Sequence, residues 1–505
     1  MLNLRDARVY TGRRWAEALV IDDAGRVAST EAGPAAGPVW QLEGRVVVPG
    51  LIDAHLHLLH MAQAQRGLRI EAGDPPAAIL SRLRSEAAKL APGTWILGTG
   101  YDDSQWAESL NRAALDSVTR RHPVFLQRKD LHSGVANSAA LEAAGLSDAS
   151  RAPAGGRLDR DPRGLLTGVL REKAREPVFE ALPPLTEEEL EHELSELLGR
   201  LATVGLTTVC SIGDWAEFQA LNRLQARRLL RIRVAQLIGS GELERVVGEG
   251  LRSGDGDDRL WFSGIKYFAD GSLGSRTALL EEPYQGSDDC GVAAVDPHAL
   301  AEGVKRANQA GISAAIHAIG DRALRTALDA IEAALPHSRG VDRIEHVQLG
   351  SPESFRRMAA MDVIASMQPL HAVKDRSLAE RWWGERCRFA YAWQSLLKAG
   401  VTLAFGSDAP VESADPLAGI RSAVSRQDED GLPEGGWYPA QRLTLEAALQ
   451  AYGVGAARAL QQPQLGLLEP GSPADCVVLD DTPDRASARV HAVLVEGKPI
   501  VGGPP

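Results

Sequence analysis

Short apolar runs alternate with helix-length amphipathic stretches through the middle of the chain, which predicts an α/β fold built as a (β/α)8 TIM-type barrel. Both chain ends share a texture of short β segments, too small to be stable alone, and so predict one composite β-sandwich assembled from the two termini. A long stretch between the first two barrel strands carries strand-like runs of its own, which predicts an inserted α/β subdomain. The divisions that follow are 1–50 for the N-terminal part of the sandwich and 51–64 with 186–450 for the barrel. Residues 65–185 form the insert, and 451–505 a linker with the C-terminal part of the sandwich.

In order along the chain, Glu17 to Asp22 and Arg45 to Val48 read as strands, and Asp22-Asp23-Ala24-Gly25-Arg26 reads as a hairpin turn. Barrel strands are expected near 48–54, 206–212, 231–238, 263–269, 312–317, 342–347, 362–368 and 401–407. Trp95 to Gly98 and Pro123 to Gln127 are surplus to that barrel and belong to the insert. At the far end, Ala474 to Leu479 and Val490 to Val495 are strand-like after the turn Glu469-Pro470-Gly471-Ser472-Pro473.

Composition narrows the function. A chain of 505 residues with 44% hydrophobic and 24% charged residues can bury a full core. The formal net charge of −12 opposes both nucleic-acid binding and docking on an anionic membrane, since each needs a basic face. Cys210, Cys290, Cys387 and Cys476 are scattered without a CxxC pair, as expected of buried thiols in a reducing compartment. The N-terminus lacks an apolar signal-like core, and no run reaches membrane-spanning length. A cytoplasmic enzyme acting on a small molecule is the expectation, with a homodimer as candidate assembly.

The histidines and acids carry the chemistry. His55 and His57 form an HxH at the end of the first strand, and residues i and i+2 of a strand share a face. His317 ends the fifth strand, His346 the sixth, and Asp408 follows the eighth in Phe405-Gly406-Ser407-Asp408-Ala409-Pro410. Lys266 sits in the fourth, in Gly264-Ile265-Lys266-Tyr267-Phe268. Each alone has a bland reading: a chance HxH, a hydrogen-bonded core histidine, an ordinary Asx-Pro turn, a salt-bridged lysine. All of them at corresponding strand ends, on the face where barrel enzymes place catalysis, is a different matter. Four imidazoles and a carboxylate suit Zn2+ or a similar divalent ion with positions left open for water.

The runs Pro49 to His57, Gly205 to Val209, His317 to Ala323, Arg343 to His346 and Gly406 to Asp408 resemble the amidohydrolase superfamily. Phe268 to Arg276 and Gly100-Tyr101-Asp102-Asp103 resemble its family 3 branch, which includes N-substituted formamide deformylase. The resemblance covers nearly the whole chain. It implies one or two divalent ions, Zn2+ foremost, and hydrolysis of non-peptide amide-type bonds. His55, His57, His317, His346 and Asp408 match the family's metal and catalytic positions. Lys266 matches a strand-four lysine that binuclear members carry as a carbamate bridging two ions; the alternative is an amine turned away to an acid such as Asp270.

In that chemistry a divalent ion lowers the pKa of water from about 15.7 to about 7, and Asp408 is placed to take a proton and return it to the leaving amine. His346 or His317 is the candidate to hold the carbonyl oxygen. His132, Tyr101 and Asp102 of the insert, Asp270 and Arg276 after the fourth strand, and Gln368 and His371 after the seventh are candidate substrate contacts. Trp382-Trp383 and Trp437-Tyr438 are expected either to wall the site or to cover core. The rival readings are a deaminase, a lactonase or phosphotriesterase, and a non-catalytic metal-binding barrel. Gly320 stands where many deaminases place a glutamate, three residues after the strand-five histidine, which counts against the first.

Overall fold

A computed structural model describes residues 1–31, 37–71, 73–104, 106–107, 109–183, 185–336 and 340–504. Eight parallel strands form the central sheet: β1 (Leu51–Leu56), β2 (Leu206–Gly213), β3 (Arg233–Gly239), β4 (Leu260–Phe268), β5 (Ala314–Ala318), β6 (Arg343–His346), β7 (Ile364–Met367) and β8 (Leu403–Phe405). Each pairs in parallel with its neighbours in sequence order. Closure between β8 and β1 occurs at their C-terminal ends. His57 N–H donates to Ala409 O at 2.9 Å, and Asp408 N–H donates to His55 O at 2.7 Å. Gly406 permits that approach, because a Cβ there would stand 2.5 Å from His55 N.

The sequence pattern places these strands well because each is a short apolar run whose two faces are both covered, by barrel interior and by helices. The first expected strand, 48–54, instead divides at Gly50. Val46–Pro49 belongs to another sheet and Leu51–Leu56 to the barrel, with a Cβ at Gly50 falling 2.2 Å from Thr207 Oγ1. Helices pack outside the barrel. Glu187–Thr203, for example, is opened by a Thr186/Glu189 capping box and buries Leu194, Leu197, Leu198 and Leu201 in the main core.

The two chain ends do assemble together. One six-stranded sheet runs 498–501, 490–495, 476–479, 46–49, 8–10, 15–16, so the C-terminal strand Cys476–Leu479 pairs antiparallel with Val46–Pro49. A four-stranded sheet from the N-terminal region faces it across a core that includes Leu4, Val9, Leu19, Trp40, Val478 and Leu494. The Asp22–Arg26 turn joins two of its strands, as the sequence indicated. A buried Arg233–Asp475 pair at 2.7 Å ties this unit to the start of β3. The insert is a six-stranded mixed sheet spanning Leu68–Arg69 to Leu166–Glu172, with helices Pro76–Ala87 and Ser138–Ala143 against it. All four cysteines are free thiols, and no described helix is long and apolar enough to cross a membrane.

Candidate metal centre and active site

A cavity of about 200 Å³ sits over the C-terminal ends of the barrel strands. It is lined by His55, His57, Lys266, His317, His346 and Asp408, six residues far apart in sequence. His55 Nε2 and His57 Nε2 lie 3.2 and 3.0 Å from the same Asp408 oxygen, and ligand atoms of these three fall within 4.8 Å of one another. The His317 and His346 ring centroids are 4.5 Å apart, and those of His55 and His346 are 4.9 Å apart.

Hydrogen bonds on the far side of the rings set their tautomers. His55 Nδ1–H donates to Glu345 Oε2 at 2.6 Å, His346 Nδ1–H to Gln368 Oε1 at 2.8 Å, and His317 Nε2–H to Gly271 O at 2.9 Å. Each of these oxygens acts as an acceptor, so in the neutral ring the second nitrogen carries a lone pair. That is the arrangement around metal-binding histidines, where an outer acceptor orients the ring. Burial works to lower His55, but Glu345 and Asp408 outweigh it and raise the ring, so His55 gives up a proton to ligate. Burial drives His317 and His346 well below the usual imidazole range, which keeps them neutral and able to ligate. Burial also opposes ionisation of Asp408, but the surrounding imidazoles, His55 foremost, outweigh it and hold the carboxyl well below its ordinary value.

His346 and Asp408 both take left-handed backbone, at φ 73° and 62°. At His346 this turns the side chain out of strand alternation, so that Glu345 and His346, consecutive on β6, both serve the cavity. Non-glycine residues pay for such dihedrals, and they concentrate at functional sites. Lys266 is 1% exposed, and among the described residues its Nζ has no hydrogen-bond partner. Burial lowers its amine to about 8. The alternative pairing with Asp270 is absent. Asp270 accepts backbone N–H bonds from Leu279, Ile319 and Gly320, clamping the loops after β4 and β5, and burial pushes its carboxyl up to about 7.

The other sequence candidates divide. His132 lines the cavity, its Nδ1 2.8 Å from Glu172 Oε2. His371 lies against Asp408, stacked on His346 at 5.9 Å, and Gln368 holds His346 from behind. Asp102, Asp270 and Arg276 are not among the residues lining this cavity. Asp102 pairs with Arg128 and Lys129, while Arg276 is exposed and packs over Trp382. Tyr101 is buried and stacked on Trp106 in the insert. Trp383 and Trp437 cover core.

Sequence reasoning passed over three cavity neighbours. His60 follows His57 by three residues on the helix Leu58–Arg66 and stacks on it at 5.2 Å, a spacing readable in the sequence. Glu345 lies within the run Arg343 to His346, where the strand-end histidine alone signals chemistry. Arg175 enters from the insert, which no local pattern announces.

The amidohydrolase family profile matches residues 39–501, nearly the whole chain. The chain belongs to the amidohydrolase family. It is a hydrolase of carbon–nitrogen bonds, of a family that is metal-dependent. Protein LONG AFTER FAR-RED 3 of Arabidopsis thaliana is 35% identical over 490 residues, covering 91% of this chain and 83% of that protein. N-substituted formamide deformylase of Arthrobacter pascens is 29% identical, over 97% of this chain and 95% of that one. The crystal structure of an uncharacterized metal-dependent hydrolase from Pyrococcus horikoshii superposes with a TM-score of 0.78 at 29% identity, covering 96% of this chain and 98% of that chain.

Proposed function

We propose that the enzyme hydrolyses a small non-peptide amide, an N-substituted formamide or N-acyl amine, in this cavity. The observation that carries the reading is the orientation of His55, His317 and His346, each anchored through one ring nitrogen by an outer acceptor, which leaves the other available to a metal. The similarity to N-substituted formamide deformylase supports the bond type.

His55, His57, His317, His346, Lys266 and Asp408 are the residues assigned to hold one or two divalent ions, and the donor set suits Zn2+. When bound, such an ion supplies Lewis acidity, which lowers the pKa of water and polarises a carbonyl. The unpartnered Lys266 amine, lowered to about 8, is the group able to add CO2 and release a proton, becoming an anionic carbamate. Asp408, ionised, accepts a proton from the attacking water and returns it to the leaving nitrogen. With its Nδ1–H committed to Gln368, His346 offers a lone pair and acts as a ligand. The donor to the developing carbonyl oxygen is then His132. Burial works to lower this imidazole, but Glu172 outweighs it and raises the ring, which favours the protonated form able to donate from its second nitrogen.

The deaminase reading loses its proton donor at Gly320. A Cβ there would lie 2.0 Å from Leu279 O, so no side chain fits. The unpaired cysteines accord with a cytoplasmic enzyme. The test is turnover by metal-loaded protein of formamides, N-acyl amines, lactones and nucleobases in parallel. Amide hydrolysis is expected; turnover confined to lactones or nucleobases sinks the proposal.

A further inference from the structure

One charged group in the cavity has no part in the hydrolytic steps. Arg175 ends the short turn Lys173–Arg175, after the last strand of the inserted sheet, and lines the cavity beside His60 and Phe179. Its Nε donates to the Glu172 carbonyl at 3.2 Å, its Nη1 reaches Gln127 Oε1 at 3.5 Å, and its guanidinium lies 5.6 Å from the Phe179 ring centre. The acids around it are engaged elsewhere. Glu172 is held by His132 and by Thr277, and Asp130 by Arg128, Ser272 and Ser275. Glu176 is exposed to solvent. Among the described residues none forms an ion pair with Arg175. Arginine does not shed its charge in proteins, and Arg175 stands half-buried without a counter-ion, which is costly. Burial accordingly works against this guanidinium and lowers its pKa.

We propose that Arg175 is the anion-recognition residue of the cavity, and that the substrate carries a carboxylate a few atoms from its scissile amide. This rests on the amide-hydrolase reading above. The planar guanidinium fork matches a carboxylate in two parallel hydrogen bonds, and a singly charged anion balances one unpaired cation. Phe179, Phe268, Leu131 and Val411 supply apolar wall, so the substrate between its two polar ends is apolar and, in about 200 Å³, compact. Specificity is therefore set by a residue of the insert, while the residues assigned to hold the metal come from the barrel.

The test uses full-length, metal-loaded enzyme and matched N-formyl substrates ending in a carboxylate, its carboxamide, or a phosphonate. Wild type is expected to prefer the carboxylate over the carboxamide by roughly 10- to 100-fold in kcat/KM, mainly through KM. In Arg175→Met that ratio collapses toward one, and Arg175→Lys, which keeps the charge, recovers part of it. A preference absent from wild type, or unchanged in Arg175→Met, overturns the proposal. An Arg175-dependent preference for the phosphonate overturns the carboxylate assignment. If no amide of either ending is hydrolysed, the hydrolytic reading has failed, and binding decides this one separately. Hexanoate and hexanamide are titrated calorimetrically into wild type and Arg175→Met, both verified as folded by their melting curves. Carboxylates also bind metals, so the difference between the two proteins is what is read. Hexanoate binding weakened in the variant while hexanamide is not supports the role, and equal hexanoate affinity rejects it.

Discussion

Glu345 Oε2 lies 2.6 Å from His55 Nδ1, and the other oxygen of the same carboxylate lies 2.6 Å from Arg343 Nε. All three side chains are buried. Arg343 and Glu345 share the inward face of β6, so one strand delivers a ligand at its tip and the group that orients another strand's ligand. Burial opposes a charge on Glu345, but Arg343 and His55 outweigh it and keep the carboxylate ionised.

Replacing Glu345 with Gln removes that charge while preserving shape. The His55 ring then becomes a weaker donor to metal, and an outer partner of this kind is typically worth about 10–100-fold in affinity. Competition with a chromophoric chelator should show weakening of that size relative to wild type. Unchanged affinity would remove Glu345 from any role in the metal site.

Asp408→Asn should abolish turnover with the fold kept. Asn tolerates the left-handed backbone seen here at φ 62° and retains an acceptor oxygen toward His57, but it is a far weaker base. A fall in kcat of roughly 10²–10⁴-fold is expected, with little change in melting temperature. Turnover near wild type on a verified substrate rules out the proton-transfer role.

Lys266→Ala should lose activity and part of the bound metal, measured by elemental analysis against wild type purified without chelator. The deleted side chain leaves a buried gap beside the imidazoles, which a short carboxylic acid with added zinc can enter to restore some of both. If the variant retains its full metal content, Lys266 is not a ligand in any form.

Glu217 gives the fold a pH dependence that is separable from catalysis. In the first turn of helix Trp215–Ala226, it is fully buried and accepts hydrogen bonds from Leu59 N–H and the Ser211 hydroxyl. Burial raises its carboxyl from 4.5 to about 7. The folded chain therefore keeps this proton over a range in which the unfolded chain loses it. The stability it contributes is fully present below about pH 4.5 and is lost as pH rises through 7, by at most about 3 kcal/mol. Glu217→Gln, uncharged throughout, should lose less unfolding free energy than wild type between pH 5 and 8 in denaturant titrations. Parallel curves would show that this group does not set the dependence.

The eight barrel strands and the residues at their ends were legible because both are local. A short apolar run marks a strand buried on two faces, and barrel closure brings every C-terminal strand end to one place. Knowing His55, His57, His317, His346 and Asp408 as strand-end residues was therefore close to knowing that they meet. The pairing of the two termini was legible for the same kind of reason, since each lacked enough partners to be stable alone. Tertiary structure decided what depends on how separate segments dock. Asp102 lay in a recognisable motif, yet Arg128 and Lys129 draw it into ion pairs away from the cavity. Asp270 is held by three backbone amides and meets the site only through His317, its Oδ1 3.5 Å from His317 Nε2. Glu345 acquired its role only when β6 and β1 fixed the distance between its carboxylate and His55. Arg175 reached the cavity only because the insert folds back over the barrel mouth. Strand periodicity encodes which way a side chain points from its own backbone, whereas the partner it meets is set by contacts between segments hundreds of residues apart.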